Sequence, residues 1–296
     1  MRDILVTGGT GQVGAALLAL APQAGFRFVA PGRDELDLLE PRSFVQILAQ
    51  RPWAAIINAG AYTAVDKAET DVEAAWRVNA LAPAILAREA AAAGVPLVHV
   101  STDYVFSGAS ARPYGEDDPV APLGVYGASK EAGEQGVRTG GGRSVIVRTS
   151  WVVSPWRANF LKTMLRLGAE REVLNVVADQ HGAPTSATDL AAALGTIART
   201  LATDEAAPTG TFHFSNAGAT TWADFATEIF RLSAARGGAC ARVEPILTAQ
   251  YPTPARRPAY SLLSTLRIQQ LYGLSPRAWQ EAVADIIDEL IPSRAL

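Results

Sequence analysis

The chain carries 296 residues, 49% hydrophobic and 19% charged, a balance that supplies a packed core and excludes disorder as its main state. With 26 Lys and Arg against 29 Asp and Glu the net charge is −3, so the basic excess that neutralises phosphates is missing and no nucleic-acid partner is expected. The single cysteine, Cys240, can close no internal disulfide and has no Cys or His at metal-ligand spacing.

From the N terminus, Met1-Arg2-Asp3 leads straight into a strand-like run without signal-peptide anatomy. No apolar run approaches the roughly 20 residues of a bilayer span. A soluble, cytoplasmic protein with no membrane partner is expected. Runs 4–7, 26–30, 54–58, 95–101 and 144–149 are apolar on consecutive residues, as buried parallel strands are. Between them, 12–24, 41–50, 71–93 and 125–137 have helical spacing, with Pro41 suited to a first turn and Gly94-Val95-Pro96 ending the long Ala-rich helix. This alternation predicts the α/β class, a Rossmann-like doubly wound parallel sheet with right-handed crossovers.

After Ser150 the rhythm loosens. Helices are expected at 159–167, 186–201, 222–235 and 276–290, with short strands at 211–214 and 243–247. The expected organisation is a dinucleotide-binding domain over 1–150. Residues 151–296 would form mainly a smaller, mixed substrate lobe at the carboxyl ends of the strands, with some segments returning to the first domain.

Thr7-Gly8-Gly9-Thr10-Gly11-Gln12-Val13-Gly14 joins the first strand to the first helix. Gly8, Gly11 and Gly14 give G-x-x-G-x-x-G, one residue looser than the usual dinucleotide fingerprint. Glycine permits the tight turn and lets backbone N–H groups approach a pyrophosphate. A ligand-free glycine turn is the alternative; the position at the first βα junction favours a dinucleotide. The second strand ends in Ala30-Pro31-Gly32-Arg33, without the acid that holds an NAD ribose. Arg33 can meet a 2′-phosphate, which favours NADPH, or can be a solvated loop cation. Asp34 and Asp37 can still accept ribose or adenine hydrogen bonds, so NADH stays open.

Tyr126-Gly127-Ala128-Ser129-Lys130 places a phenol and an ammonium four residues apart on one helix face. Such an ammonium favours the phenolate and is expected to lower the Tyr126 pKa toward the working range. Ser101-Thr102-Asp103 ends the fourth strand, where a hydroxyl can orient a reacting oxygen. His99 and His213 read as core histidines, His181 as a loop residue, and Glu116-Asp117-Asp118 as solvated acids. No metal is expected.

Together with these motifs, four longer segments carry a resemblance. They are Asn58-Ala59-Gly60-Ala61-Tyr62-Thr63-Ala64-Val65-Asp66-Lys67-Ala68-Glu69, Ser101-Thr102-Asp103-Tyr104-Val105-Phe106-Ser107-Gly108, Arg148-Thr149-Ser150-Trp151-Val152 and Asp179-Gln180-His181-Gly182-Ala183-Pro184-Thr185. Nearly end to end, the chain resembles the extended short-chain dehydrogenase/reductases and, within them, the dTDP-4-dehydrorhamnose reductase family. The resemblance implies NAD(P)H-dependent reduction of the 4-keto group of dTDP-4-dehydro-L-rhamnose to dTDP-L-rhamnose, the last step of dTDP-rhamnose biosynthesis. It implies Thr102, Tyr126 and Lys130 as the catalytic triad, with Tyr126 and Lys130 also on the cofactor. It places Gly8, Gly11, Gln12 and Val13 at the pyrophosphate, Asp37 and Leu38 at the adenine, and Ala59, Gly60, Ala61 and Tyr62 along the cofactor. Thr63, Val65, Asp103 and Trp151 would border the sugar, Trp151 otherwise being core packing. Arg257 can pair with the nucleotide diphosphate, or be half of a solvated pair with Arg256.

Two departures stand out. Gly60 replaces an alanine common in the family, a change expected only to loosen packing, and Tyr260 stands where asparagine is usual. The alternatives are a related nucleotide-sugar reductase or epimerase, or a non-catalytic NADP-binding regulatory subunit. The partner expected is the small-molecule nucleotide sugar, and a homodimer is left open.

Overall fold

Strands β1 (Arg2–Thr7), β2 (Phe26–Val29), β3 (Trp53–Asn58), β4 (Leu97–Thr102) and β5 (Ser144–Thr149) run parallel in the order β2-β1-β3-β4-β5. Gly210–His213 adds a sixth parallel strand beside β5. These strands are apolar on consecutive residues because both faces of the sheet are covered. Ile4, Val6, Ile57, Val98, Val145 and Val147 pack beneath the Gln12–Ala19 and Ala187–Thr203 helices. Leu5, Ile56, Leu97 and Ile146 pack on the other face, beneath Arg42–Ala49, Ala82–Ala92 and Val125–Arg138. The computed structural model describes residues 1–21 and 25–292.

The winding direction reverses between β1 and β3, which makes their carboxyl ends the topological switch point where such sheets bind ligands. Thr7 and Asn58 stand there, the Thr7 hydroxyl donating to Asn58 Oδ1 at 2.6 Å and accepting from Gly60 N at 3.2 Å.

A second core gathers Val153, Leu161, Phe225, Ile229, Trp279 and Ile286 between the helices Phe160–Glu170, Trp222–Ala234 and Trp279–Leu290. Beside it Val173–Val177 and Arg242–Ile246 pair in parallel. The Val173–Val177 strand was not expected; its five residues are alternately exposed and covered, but their run is short and not bounded by Gly or Pro.

The predicted helix 71–93 is interrupted: Val72–Trp76 passes through a π-helical turn, Arg77–Leu81, into Ala82–Ala92. The predicted helix 12–24 ends at Ala19, and residues 22–24 lie outside the described residues. Pro41 precedes the Arg42–Ala49 helix as its cap rather than opening its first turn. The short helices Val65–Ala68 and Leu266–Tyr272 were not expected; each is too brief to show a period. Among the described residues no helix is long and apolar enough to cross a membrane.

Candidate active site

The Val125–Arg138 helix begins at Gly124, whose backbone is extended and supplies no side-chain cap. Glu69 caps it from outside, its Oε1 accepting from Val125 N at 2.9 Å. A Cβ on Gly124 would come within 2.5 Å of that same oxygen. The acid closing the Asn58–Glu69 segment thus fixes the start of the helix that carries Tyr126 and Lys130.

Lys130 is 2% exposed and donates from Nζ to the Val100 carbonyl at 2.7 Å, so it is held against β4 two residues before Thr102. Burial brings its pKa down to about 8, against the opposing charge of Glu134. The Tyr126 phenol is pushed well above the ordinary range by burial, with a hydrogen bond to Thr102 acting the other way. The expected lowering of Tyr126 by Lys130 is therefore corrected. The ammonium is engaged by a backbone carbonyl, and desolvation of the phenolate dominates.

Thr102 closes β4 and caps the turn that follows, its Oγ1 accepting from Tyr104 N at 3.2 Å and donating to Asp103 Oδ1 at 3.0 Å. Asp103 is 2% exposed, and its Oδ2 is buried without a hydrogen-bond partner among the described residues. Burial pushes its carboxyl up to about 6. Tyr104 meets the Tyr126 ring edge-on at 5.5 Å.

The glycine loop is packed to the limit. Gly8 has a φ of 70°, and a Cβ there would lie 2.5 Å from Gly60 Cα. A Cβ on Gly14 would lie 2.2 Å from the Gly8 carbonyl oxygen. The helix that opens at Gln12 has no side-chain cap from Gly11, so its first N–H groups and its dipole are left for an anion. This cradle fits a dinucleotide pyrophosphate. The Gln12 side chain is taken up elsewhere, by Val152 O at 3.2 Å, Ser154 at 2.7 Å and Asn159 at 2.9 Å. Its backbone N–H and that of Val13 are the groups available to phosphate. Arg33 is exposed at the β2 end and pairs with Asp37 at 3.3 Å.

Gly60 does not loosen the wall. A Cβ there would press to 2.6 Å from Leu38 Cδ1, so the glycine makes room for Leu38 and brings Asp37–Leu38 close to Ala59–Tyr62. Sequence reasoning missed Asn79, which is buried in the π turn. Its Oδ1 accepts from Tyr62 N at 2.8 Å, and its Nδ2 donates to Tyr62 O at 3.0 Å and Ser129 Oγ at 3.1 Å. It ties the Ala59–Tyr62 wall to the Tyr126 helix. An asparagine inside an Ala-rich helical run carries no periodic signal that would have shown this.

The sugar-side residues are more dispersed. Thr63 is exposed and Val65 opens the Val65–Ala68 helix. Trp151 has a φ of 45° and stacks on Trp222 with ring centroids 3.6 Å apart, while a Cβ on Gly182 would come within 2.5 Å of its ring. Trp151 is thus packed beside Trp222 and Gly182, against the second core. Arg257 is not half of a solvated pair with Arg256: it bonds Asp66 at 2.8 Å and the Tyr104 hydroxyl at 3.1 Å. Tyr260 packs on the small cluster around Phe106 and Tyr114.

The reading of Glu116, Asp117 and Asp118 as solvated is corrected for Glu116 and Asp118, whereas Asp117 is exposed. Asp118 pairs with Arg112 at 2.8 Å, Asp117 with Arg267, and Glu116 accepts from His213 N at 3.3 Å. His213 is buried and its pKa falls to about 3 through desolvation. His99 is buried too, bonded through Nδ1 to Asn58 at 3.0 Å, but its Nε2 has no partner among the described residues. His181 is exposed beside Tyr260.

Known proteins match nearly the whole length of the chain. The family described as RmlD substrate binding domain matches residues 1–291. A dTDP-4-dehydrorhamnose reductase of Burkholderia thailandensis is 42% identical, covering 97% of this chain and 99% of that protein. One from Sinorhizobium fredii is 40% identical and covers 97% of each. The crystal structure of a dTDP-4-dehydrorhamnose reductase from Bacillus anthracis in complex with NADP superposes with a TM-score of 0.90 at 34% identity, covering 98% of this chain and 100% of that one. The chain belongs to the RmlD substrate binding domain family, the family of the dTDP-4-dehydrorhamnose reductases.

Proposed function

We propose that this chain reduces the 4-keto group of dTDP-4-dehydro-L-rhamnose, with Thr102 orienting the keto oxygen, Tyr126 donating the proton and Lys130 supporting the phenolate left behind. The observation that carries this reading is the meeting of Thr102 and Tyr126, with Lys130 pinned to the same strand, beside an uncapped glycine cradle at the switch point. NADPH is the preferred cofactor: the β2 end offers Arg33 and no ribose-binding acid, and the Bacillus anthracis relative is described with NADP. NADH is accepted less well. The reduced nicotinamide, when bound, supplies the hydride.

The chain's own residues handle the proton. Burial keeps Tyr126 protonated at neutral pH, which is the state a donor to a developing alkoxide needs. Once Tyr126 has given its proton, the phenolate is a buried charge, and the ammonium of Lys130, one helical turn away, opposes that charge without outweighing the burial. Thr102, held by Tyr104 N and Asp103, fixes where the oxygen sits.

The test is loss of NADPH absorbance with purified protein and dTDP-4-dehydro-L-rhamnose made in situ, with the product identified. Formation of dTDP-L-rhamnose, faster with NADPH than with NADH, is expected. Binding of NADPH without turnover of this sugar would point to another keto-sugar or to a regulatory role.

A further inference from the structure

Tyr126, Lys130, Glu134 and Arg138 recur every fourth residue along one face of the Val125–Arg138 helix, and the proposed mechanism uses only the first two. Glu134 is fully buried. Its Oε1 accepts from Ser101 Oγ at 2.6 Å and Arg148 Nε at 2.9 Å, and its Oε2 from Arg148 Nη2 at 2.7 Å and Arg138 Nη2 at 2.6 Å. These donors come from three elements: β4, β5 and the helix itself. A buried ion pair of this kind is weak evidence for stability, since well-packed apolar residues commonly do as well or better. Its position one turn from Lys130, bonded to the residue that precedes Thr102, is a different matter.

We propose that Glu134 is a positioning residue that keeps Lys130 positively charged and holds the end of β4 in register with the Tyr126 helix. The inference rests on the reading of Lys130 as the partner of the Tyr126 phenolate.

Two jobs fall to the one carboxylate. Through Ser101 it fixes the strand residue immediately before Thr102, so the hydroxyl and the phenol keep their mutual distance. Through its charge it opposes the desolvation that drives Lys130 toward the neutral amine. Asp103, on the turn after β4, acts on Tyr126, whereas the charge that acts on Lys130 is that of Glu134. His99, on β4, is buried and neutral, its protonated form disfavoured by burial and by Lys130 itself. Asn79 and Ser129 are uncharged, and Tyr126 is protonated. Arg148 and Arg138 add positive charge, which Glu134 neutralises at close range. Glu134 is held ionised against burial by the two arginines and Ser101, so it stays a fixed charge across the working pH range.

The chain contains only three lysines, Lys67, Lys130 and Lys162, so the side-chain carbon signals of isotopically labelled lysine can be followed one by one through a pH titration. In the parent protein the Lys130 midpoint is expected near 8. Glu134→Gln keeps the shape and removes the charge. It is expected to lower the Lys130 midpoint by about one pH unit or more, as loss of an opposite charge at this range does, and to move the basic limb of the kcat profile with it. Arg138→Ala, at a residue whose side chain is one-third exposed, removes a positive charge and is expected to move the midpoint upward by a few tenths.

An unchanged Lys130 midpoint in Glu134→Gln overturns the proposal, even if activity falls evenly at every pH. If that variant does not fold, an unmoved midpoint in Arg138→Ala overturns it equally. Neither reading depends on which sugar is reduced, so a wrong substrate and a wrong role for Glu134 are told apart.

Discussion

Tyr126 and Asp103 illustrate how burial sets the working state of single groups in this chain. Burial holds the proton on Tyr126 until an acceptor more basic than water is beside it, so the residue is loaded for reduction without help from pH. Tyr126→Phe is expected to bind NADPH with parent affinity by fluorescence titration while turnover falls about 10²–10⁴-fold. Turnover within a few-fold of the parent would remove Tyr126 from the proton step.

Asp103 is raised by burial in the same way, but only to about 6, so it is ionised at neutral pH. Its folded-state pKa, about 6, lies above the unfolded value near 3.9. A group raised in this way contributes stability that is fully present below the unfolded pKa and lost as pH rises through the folded one. At neutral pH its carboxylate therefore costs on the order of 2–3 kcal/mol. Asp103→Asn is expected to raise Tm most at about pH 7.5 and by roughly half as much at about pH 5. Equal gains at the two pH values would show that ionisation of Asp103 is not the source. That the chain keeps an acid here at this cost fits a residue retained for the reaction rather than for the fold.

At the scale of single elements, the glycine loop shows most directly how close packing makes a binding site. Gly14 lets the Gln12–Ala19 helix start against the Gly8 carbonyl, and no side chain fits between them. Gly14→Ala is expected to cost about 1–3 kcal/mol in urea unfolding and to weaken NADPH binding more than tenfold. An unaltered dissociation constant would mean that the loop does not hold the phosphates.

The same loop was legible in the sequence, as were the five strands of the first half, because consecutive apolar residues and glycine at a βα junction are local signals. Thr102, Tyr126 and Lys130 were legible for the same reason: strand ends and four-residue spacings can be counted. Asn79 and Glu134 were not. Their partners, Tyr62, Ser101 and Arg148, come from other elements, and one π turn in the Val72–Ala92 stretch decides where Asn79 points. The direction of the Tyr126 shift was misjudged on similar grounds. Spacing places an ammonium one turn away, but it does not show that Val100 takes up that ammonium, nor how dry the phenol is. The second core was read only in outline, since Val173–Val177 and Arg242–Ile246 lie far apart in sequence and are too short to announce themselves.

Taken whole, the molecule is threaded so that its first sheet is finished late. The chain leaves that sheet after β5, builds part of the second core, and returns to lay Ala187–Thr203 over the face formed by Ile4, Val6, Val98 and Val145. It then adds Gly210–His213 along β5. A fragment of residues 1–150 keeps the glycine loop, Thr102, Tyr126 and Lys130 but leaves that face covered by the Gln12–Ala19 helix alone and the β5 edge unpaired. Such a fragment is expected to aggregate on expression rather than bind NADPH. A soluble fragment that does bind it would show that the late helix is dispensable.

On the ribosome this threading imposes a wait. After β5 emerges, about 60 more residues must be made before the sheet can close, on the order of several seconds at usual elongation rates. During that interval a nearly complete nucleotide site stands on an open apolar surface. The nascent chain then depends on whatever shields that surface, and the yield of active enzyme should follow the speed of translation between β5 and the sixth strand.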